Sequence, residues 1–148
     1  MVSLKNMLTN EQIDAFFAEF ENAFSSLDTK KSAEAYADTF ISAGPKGTIA
    51  QGKQDLINKS EQAAAFYRSV GQKRAEIISK QQMPITDEYL MVTVHWGVYF
   101  EKNGDTPVEF DVTYVIQENS GQPKIILFIT HQDEQEAMQK LGLIQNQA

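Results

Sequence analysis

The chain has two imidazoles, His95 and His131, and these are the side chains best suited to moving a proton near neutral pH. His131 closes the run Ile125, Leu127, Ile129, His131, whose alternation predicts one apolar strand face ending in a general acid or base. The structural alternative is a core histidine bonded to a backbone carbonyl, or a strand-end residue docking the last helix. Trp96 and Tyr114 fall on apolar strand faces, and each carries a polar handle that seeks a partner when buried. Such residues orient a ligand, or simply fill a core with one acceptor nearby. His95, Tyr99, Asp111 and Thr113 fall on the opposite strand faces. Their His–Asp combination has the ingredients of catalysis, but no nucleophile or concave wall accompanies it. His131-Gln132-Asp133-Glu134 brings an imidazole close to carboxylates, as a metal site would. With the two histidines on separate faces, helix capping accounts for these acids more simply, so neither a metal nor a cofactor is expected. Gly44-Pro45-Lys46-Gly47 lacks the spacing and ending of a phosphate loop.

These residues need elements to hold them. Thr9 and Gln12 have capping-box spacing, and Ile13, Phe16, Phe17, Phe20, Phe24 and Leu27 recur with helical period, predicting a first helix over 10–27. The stripe Phe16, Phe20, Phe24 reads as core and implies an apolar interior. Asp28-Thr29 interrupts it; Ala33, Tyr36, Ala37 and Phe40 predict a short second helix, with Asp38 inside its end. Thr39–Ser42 then forms a short strand before the Gly44–Gly47 turn. Leu56, Ile57, Ala64, Tyr67 and Val70 mark a third helix over 53–71, ending near Gly71.

Beyond it the period becomes alternating. Residues 89–100 place Leu90, Val92, Val94, Trp96, Val98 and Phe100 on one face, and the next strand places Val108, Phe110, Val112, Tyr114 and Ile116 likewise. Pairing Lys102 with Thr106 across a three-residue loop sets Trp96 opposite Val112 and Val98 opposite Phe110. In that register His95 faces Thr113 and lies diagonal to Asp111. Ser120-Gly121 predicts a further tight turn, and Ile125–His131 the last strand. A final helix opens on Asp133, Glu134 and Glu136, acids suited to its positive end, and closes at Gly142.

The 148 residues carry 42% hydrophobic and 22% charged side chains, ordinary values for a globular chain, and read as a single domain over 1–148. With 20 acids against 13 bases the net charge is −7, which argues against a nucleic-acid partner. There is no Cys, so disulfides and thiolate chemistry are excluded. The opening MVSLKNMLTN has no apolar signal region and no run is long enough to span a bilayer, so no membrane association and a cytoplasmic location are expected.

Three helices followed by an antiparallel meander make an α+β layout. This order, the Tyr36-Ala37-Asp38 segment, the Gly52-Lys53 opening of the third helix and the closing strand ending in His131 resemble the NTF2-like superfamily, also called SnoaL-like or ketosteroid-isomerase-like. The close THQDEQEAMQKLGL looks like that of bacterial members without an assigned activity. The resemblance implies a cone-shaped barrel of curved antiparallel sheet wrapped around three helices, a pocket histidine at His131, and pairing of two copies through the outer sheet face bearing His95, Tyr99, Asp111 and Thr113. In the steroid-isomerase branch the base is an Asp before a Pro, eight residues beyond the Tyr; here Pro45 is kept and the base position is Gly44. That branch's oxyanion-donating Tyr falls on Phe20, which has no hydrogen to donate. Inheritance of that isomerisation is therefore not expected, nor is a carboxylate at the cavity mouth. The expected function is binding of a small apolar or aromatic molecule by Phe16, Phe20, Tyr67, Trp96, Phe110, Tyr114 and His131. The alternatives are a cofactor-independent isomerase, cyclase or dehydratase using His131, and a protein-interaction module whose cavity is filled.

Overall fold

A computed structural model describes residues 8–119 and 121–144. Helix α1 spans Asn10–Ser25, and its start is fixed by the reciprocal bonds of Thr9 and Gln12: Gln12 N–H to Thr9 Oγ1 at 3.1 Å and Thr9 N–H to Gln12 Oε1 at 2.8 Å. Helix α2 is only Thr29–Ala33, capped by Asp28, which accepts from Lys31 N–H at 3.1 Å. Strand β1 already begins at Tyr36 and runs to Gly44, so the expected helical stripe through Tyr36 and Phe40 is corrected. A single turn of helix has little stability of its own. Here the sheet captures the chain first: Ile125 N–H donates to Ala35 C=O and Tyr36 pairs with Ile125.

Pro45 and Lys46 turn β1 into β2, Gly47–Gly52, a strand that the short, glycine-bounded GTIAQG does not announce. Helix α3, Lys53–Val70, follows at once and stops at Gly71, whose φ of +89° is open to glycine at no steric cost. Strands β3 (Gln72–Pro84), β4 (Tyr89–Phe100), β5 (Val108–Asn119) and β6 (Gln122–Thr130) make an antiparallel meander, and α4 (Glu134–Lys140) closes the fold. The β5–β6 turn contains Ser120, which lies outside the described residues; Asn119 pairs with Gln122 across it.

The sheet order is β2-β1-β6-β5-β4-β3, curved and unclosed, with β2 and β3 as its edges. One pair, β1 with β6, is parallel, so the expected all-antiparallel sheet is corrected at that seam. Helix α1 lies across the concave side: Glu21 Oε2 accepts from Ile77 N–H at 2.6 Å and Ser25 Oγ from Ala75 N–H at 2.9 Å. Its Ile13, Phe17 and Phe20 join Val92, Val94, Trp96, Phe110 and Tyr114 in one core.

Two departures from the expected registers matter for the site. Trp96 pairs with Phe110 and Val98 with Val108, two residues from the expected pairing. The link from β4 to β5 uses a 3-10 turn at Glu101–Asn103 and a positive φ at Gly104 rather than a three-residue loop. Because the shift is two residues, the apolar faces survive it, but His95 now stands directly opposite Asp111. In β6 the pairing jumps from Ile116–Ile125 to Val115–Leu127, leaving Ile126 as a bulge. The bulge inverts everything after it: Phe128 and Thr130 turn inward, while Leu127, Ile129 and His131 turn outward. Among the described residues, no helix is long and apolar enough to cross a membrane.

Candidate functional site

Between the concave sheet face and helices α1, α2 and α3 lies a cavity of about 370 Å³. Rings from several elements line it, including Phe20 and Phe24 from α1, Tyr36 from β1, Trp96 from β4, Tyr114 from β5 and Phe128 from β6. They lock one another edge to face: Phe24 and Trp96 centroids are 4.9 Å apart at 76°, Phe20 and Tyr114 5.5 Å at 88°. Such contacts fix the rings and leave the space between them open. Trp96 Nε1–H donates to the Tyr114 hydroxyl at 3.1 Å, so the two polar handles expected to orient a ligand or find a backbone acceptor meet each other across the strand pair. Tyr114 keeps its own hydroxyl hydrogen, and no acceptor for it occurs among the described residues. Burial pushes the Tyr36 and Tyr114 phenols well above their ordinary range, so both stay neutral donors.

The cavity does contain a carboxylate, and it comes from an unexpected place. Glu134, the first residue of α4, reaches the wall beside Tyr67 and Tyr114. Its Oε2 accepts a hydrogen bond from the Tyr67 hydroxyl. Burial raises the Glu134 carboxyl above its ordinary value, Asp133 adds to the rise, and the Tyr67 bond opposes it. Tyr67 is itself pushed far up, by burial first and then by the adjoining carboxylate. The first-turn amides do not serve Glu134, because Gln135 and Glu136 N–H both donate to the capping Asp133. Lys46 is 3.3 Å from Asp133, and among the described residues no cationic side chain pairs with Glu134. Gln51 is a second polar group in the wall: it is 7% exposed, and its Oε1 is buried without a protein partner.

Five of the expected site residues, Phe20, Tyr67, Trp96, Phe110 and Tyr114, line this cavity. Phe16 does not; it borders a separate hollow formed with α2 and the β5–β6 turn. His131 does not either. The β6 bulge puts it on the convex face, where its Nε2 lies 2.7 Å from Thr113 Oγ1, which in turn lies 2.9 Å from Thr93 Oγ1. Its role as a pocket acid or base is thereby corrected. Asp38 is not a cavity group, since its side chain is 99% exposed near Lys53. At the base position of the steroid-isomerase branch, Gly44 packs against Thr130. Glu134 was hidden among three acids that all suit a helix start. The usable signal is its spacing of four from the buried Met138, which puts both on the inward stripe of α4.

On the convex face His95 sits between two carboxylates, with Nδ1 2.7 Å from Asp111 and Nε2 2.8 Å from Glu109. The Glu109 and Asp111 bonds hold its imidazole above the ordinary value. Tyr99 O–H donates to Glu76 at 2.7 Å, and the Arg74 guanidinium lies 3.8 Å over the Tyr99 ring. Among the described residues, no group of three or more His, Asp and Glu side chains converges as a metal site would.

The same architecture recurs in solved structures. The chain is similar to an NTF-2 like protein of unknown function from Shewanella oneidensis MR-1, with TM-score 0.69, 11% identity, and coverage of 82% of this chain and 98% of that one. A protein of unknown function with a cystatin-like fold from Nostoc punctiforme PCC 73102 superposes with TM-score 0.66 at 17% identity over 86% and 95% of the two chains. A ketosteroid isomerase-like protein from Erwinia carotovora atroseptica SCRI1043 gives TM-score 0.61 at 16% identity over 82% and 93%. At such identities the likeness is one of fold. No curated protein matches the sequence. The model of the family described as NTF2-like protein (DUF6841) matches residues 10–133, most of the chain's length, and the chain belongs to that family.

Proposed function

We propose that this protein binds a small apolar or aromatic molecule in the concave cavity. The observation that carries this reading is the unfilled space of about 370 Å³ walled by aromatic rings interspersed with polar side chains such as Gln51, Ser60 and Glu134, the usual make-up of a small-molecule site. The phenylalanines of α1 pack at its side rather than fill it, which weighs against an interaction module with a filled cone. Glu134 and the two phenols Tyr36 and Tyr114 supply the polar contacts that would fix a ligand's orientation. An enzymatic reading based on His131 loses its support, because that imidazole faces the other side of the sheet. Two copies of the chain would pair through the convex face, where Ile78 and Ile129 are exposed beside His95, Tyr99, Asp111 and Thr113.

The cavity reading is tested by a thermal-shift screen of small aromatic and apolar compounds against wild type and Ser60→Phe. Ser60 is a half-buried helix residue in the cavity wall, so the added ring narrows the space from a position that tolerates it. A ligand at a hundred times its dissociation constant adds about 2.7 kcal/mol of stability. Hits on wild type that disappear in Ser60→Phe support the reading. Hits unaffected by it, or no hits at all, overturn it.

A further inference from the structure

We infer that the ligand carries a protonated amine on an aromatic or apolar body, with its ammonium seated against Glu134 and the surrounding ring faces. This deepens the cavity-binding reading and rests on it. The charge in the cavity wall is unbalanced. A half-buried carboxylate in a partly apolar wall favours a cation or several donors, since an uncompensated charge is costly to desolvate. Glu134 has one donor, the Tyr67 hydroxyl. The other groups that face it make no hydrogen bond to it: Asp133 from its own helix is an acid, and the Tyr114 hydroxyl, which accepts from Trp96, keeps its own hydrogen without donating it to Glu134. The lysines near the cavity do not complete it. Lys46 is engaged by Asp133, Lys53 by Asp38, and Lys59 is an exposed rim residue.

The remaining wall suits an ammonium. A cation is attracted to the negative face of Trp, Tyr and Phe rings within about 6 Å, most strongly where water is excluded. Phe20, Phe24, Trp96 and Tyr114 offer such faces in a fixed, mutually packed frame. Gln51 adds a buried carbonyl oxygen without a protein donor. A carboxylate ligand, by contrast, would be repelled by Glu134, and the lining lysine, Lys59, is exposed at the rim.

The experiment uses three probes of like shape and different charge, phenylethylamine, phenylethanol and phenylpropanoate, with the larger pair tryptamine and tryptophol. Trp96 is the only tryptophan of the chain, so its fluorescence reports the phenyl probes, and calorimetry reports the indoles. The expected result is that each amine binds at least about tenfold tighter than its alcohol, with the acid weakest. In Glu134→Gln the amine's advantage over its alcohol should shrink to within about twofold, a difference too small to be a charge contact. Alcohols binding as well as the amines, or a preference unchanged in Glu134→Gln, would overturn the inference and leave the cavity reading standing. If no probe of either size binds, cavity binding falls and takes the inference with it. A fold check by circular dichroism on Glu134→Gln separates lost recognition from lost structure.

Discussion

Glu134 is held where its charge is poorly solvated, and that position has a consequence for stability. Its carboxyl is raised above the ordinary 4.5, chiefly by burial. A group that binds its proton more tightly in the folded state favours folding when protonated. The contribution is complete below the unfolded value and is lost as pH rises through the raised folded value. Glu134→Gln keeps an oxygen to accept from Tyr67 and cannot ionise. Its stability relative to wild type should therefore increase from acid to neutral pH, read as the difference in urea midpoints across that range. A difference that stays flat with pH would show that the carboxyl is not strained by its site. The neighbouring Asp133 behaves oppositely: Lys46 and the first-turn amides outweigh its burial, and its carboxyl is held below the ordinary value.

At the scale of elements, the single bulged residue Ile126 decides which side chains of β6 reach the cavity. Before it, Ile125 is buried in the core; after it, Phe128 and Thr130 face inward and Ile129 is 40% exposed. Deleting Ile126 removes only the extra residue: Val115 still pairs with Leu127, so Leu127 and Ile129 stay outward and Phe128 and Thr130 stay inward. The Tyr36–Phe128 and Tyr114–Phe128 ring contacts should therefore survive. We expect urea unfolding to change by no more than about 1 kcal/mol, short of severe core disruption. A much larger loss would mean that the bulge itself, beyond the register it sets, is needed to shape the strand. Helix α4 depends on the same geometry, since the end of β6 sets where Asp133 caps it and hence where Glu134 points.

For the molecule as a whole, the curved sheet presents two unlike faces. The concave one is apolar and covered by helices; the convex one carries paired polar groups with exposed Ile78 and Ile129 between them. Pairing of two copies there would bury these isoleucines without disturbing the cavity. Ile129→Glu should leave the folding midpoint within about 0.5 kcal/mol, as a surface change does. In light scattering it should convert a wild-type dimer to a monomer. A wild-type protein that is already monomeric, or a dimer indifferent to the substitution, removes the convex face as an interface.

Sequence by itself determined the elements whose cause is local. The Thr9–Gln12 box starts α1, Gly71 ends α3, and strict alternation in 89–100 and 108–116 assigns the buried faces of β4 and β5. Five of the seven cavity residues expected from those patterns line the cavity. Only the tertiary structure decided the rest, because each remaining feature depends on partners distant in the chain. Tyr36 becomes strand rather than helix through pairing with Ile125, and β1 joins β6 in parallel. The bulge at Ile126 has no marker in an apolar run where every residue suits either face. It alone sends His131 outside and carries α4 to the position from which Glu134, one of three equivalent-looking acids, enters the cavity. A local pattern fixes which face of an element is apolar, but the wall a given side chain reaches is set by long-range pairing and register.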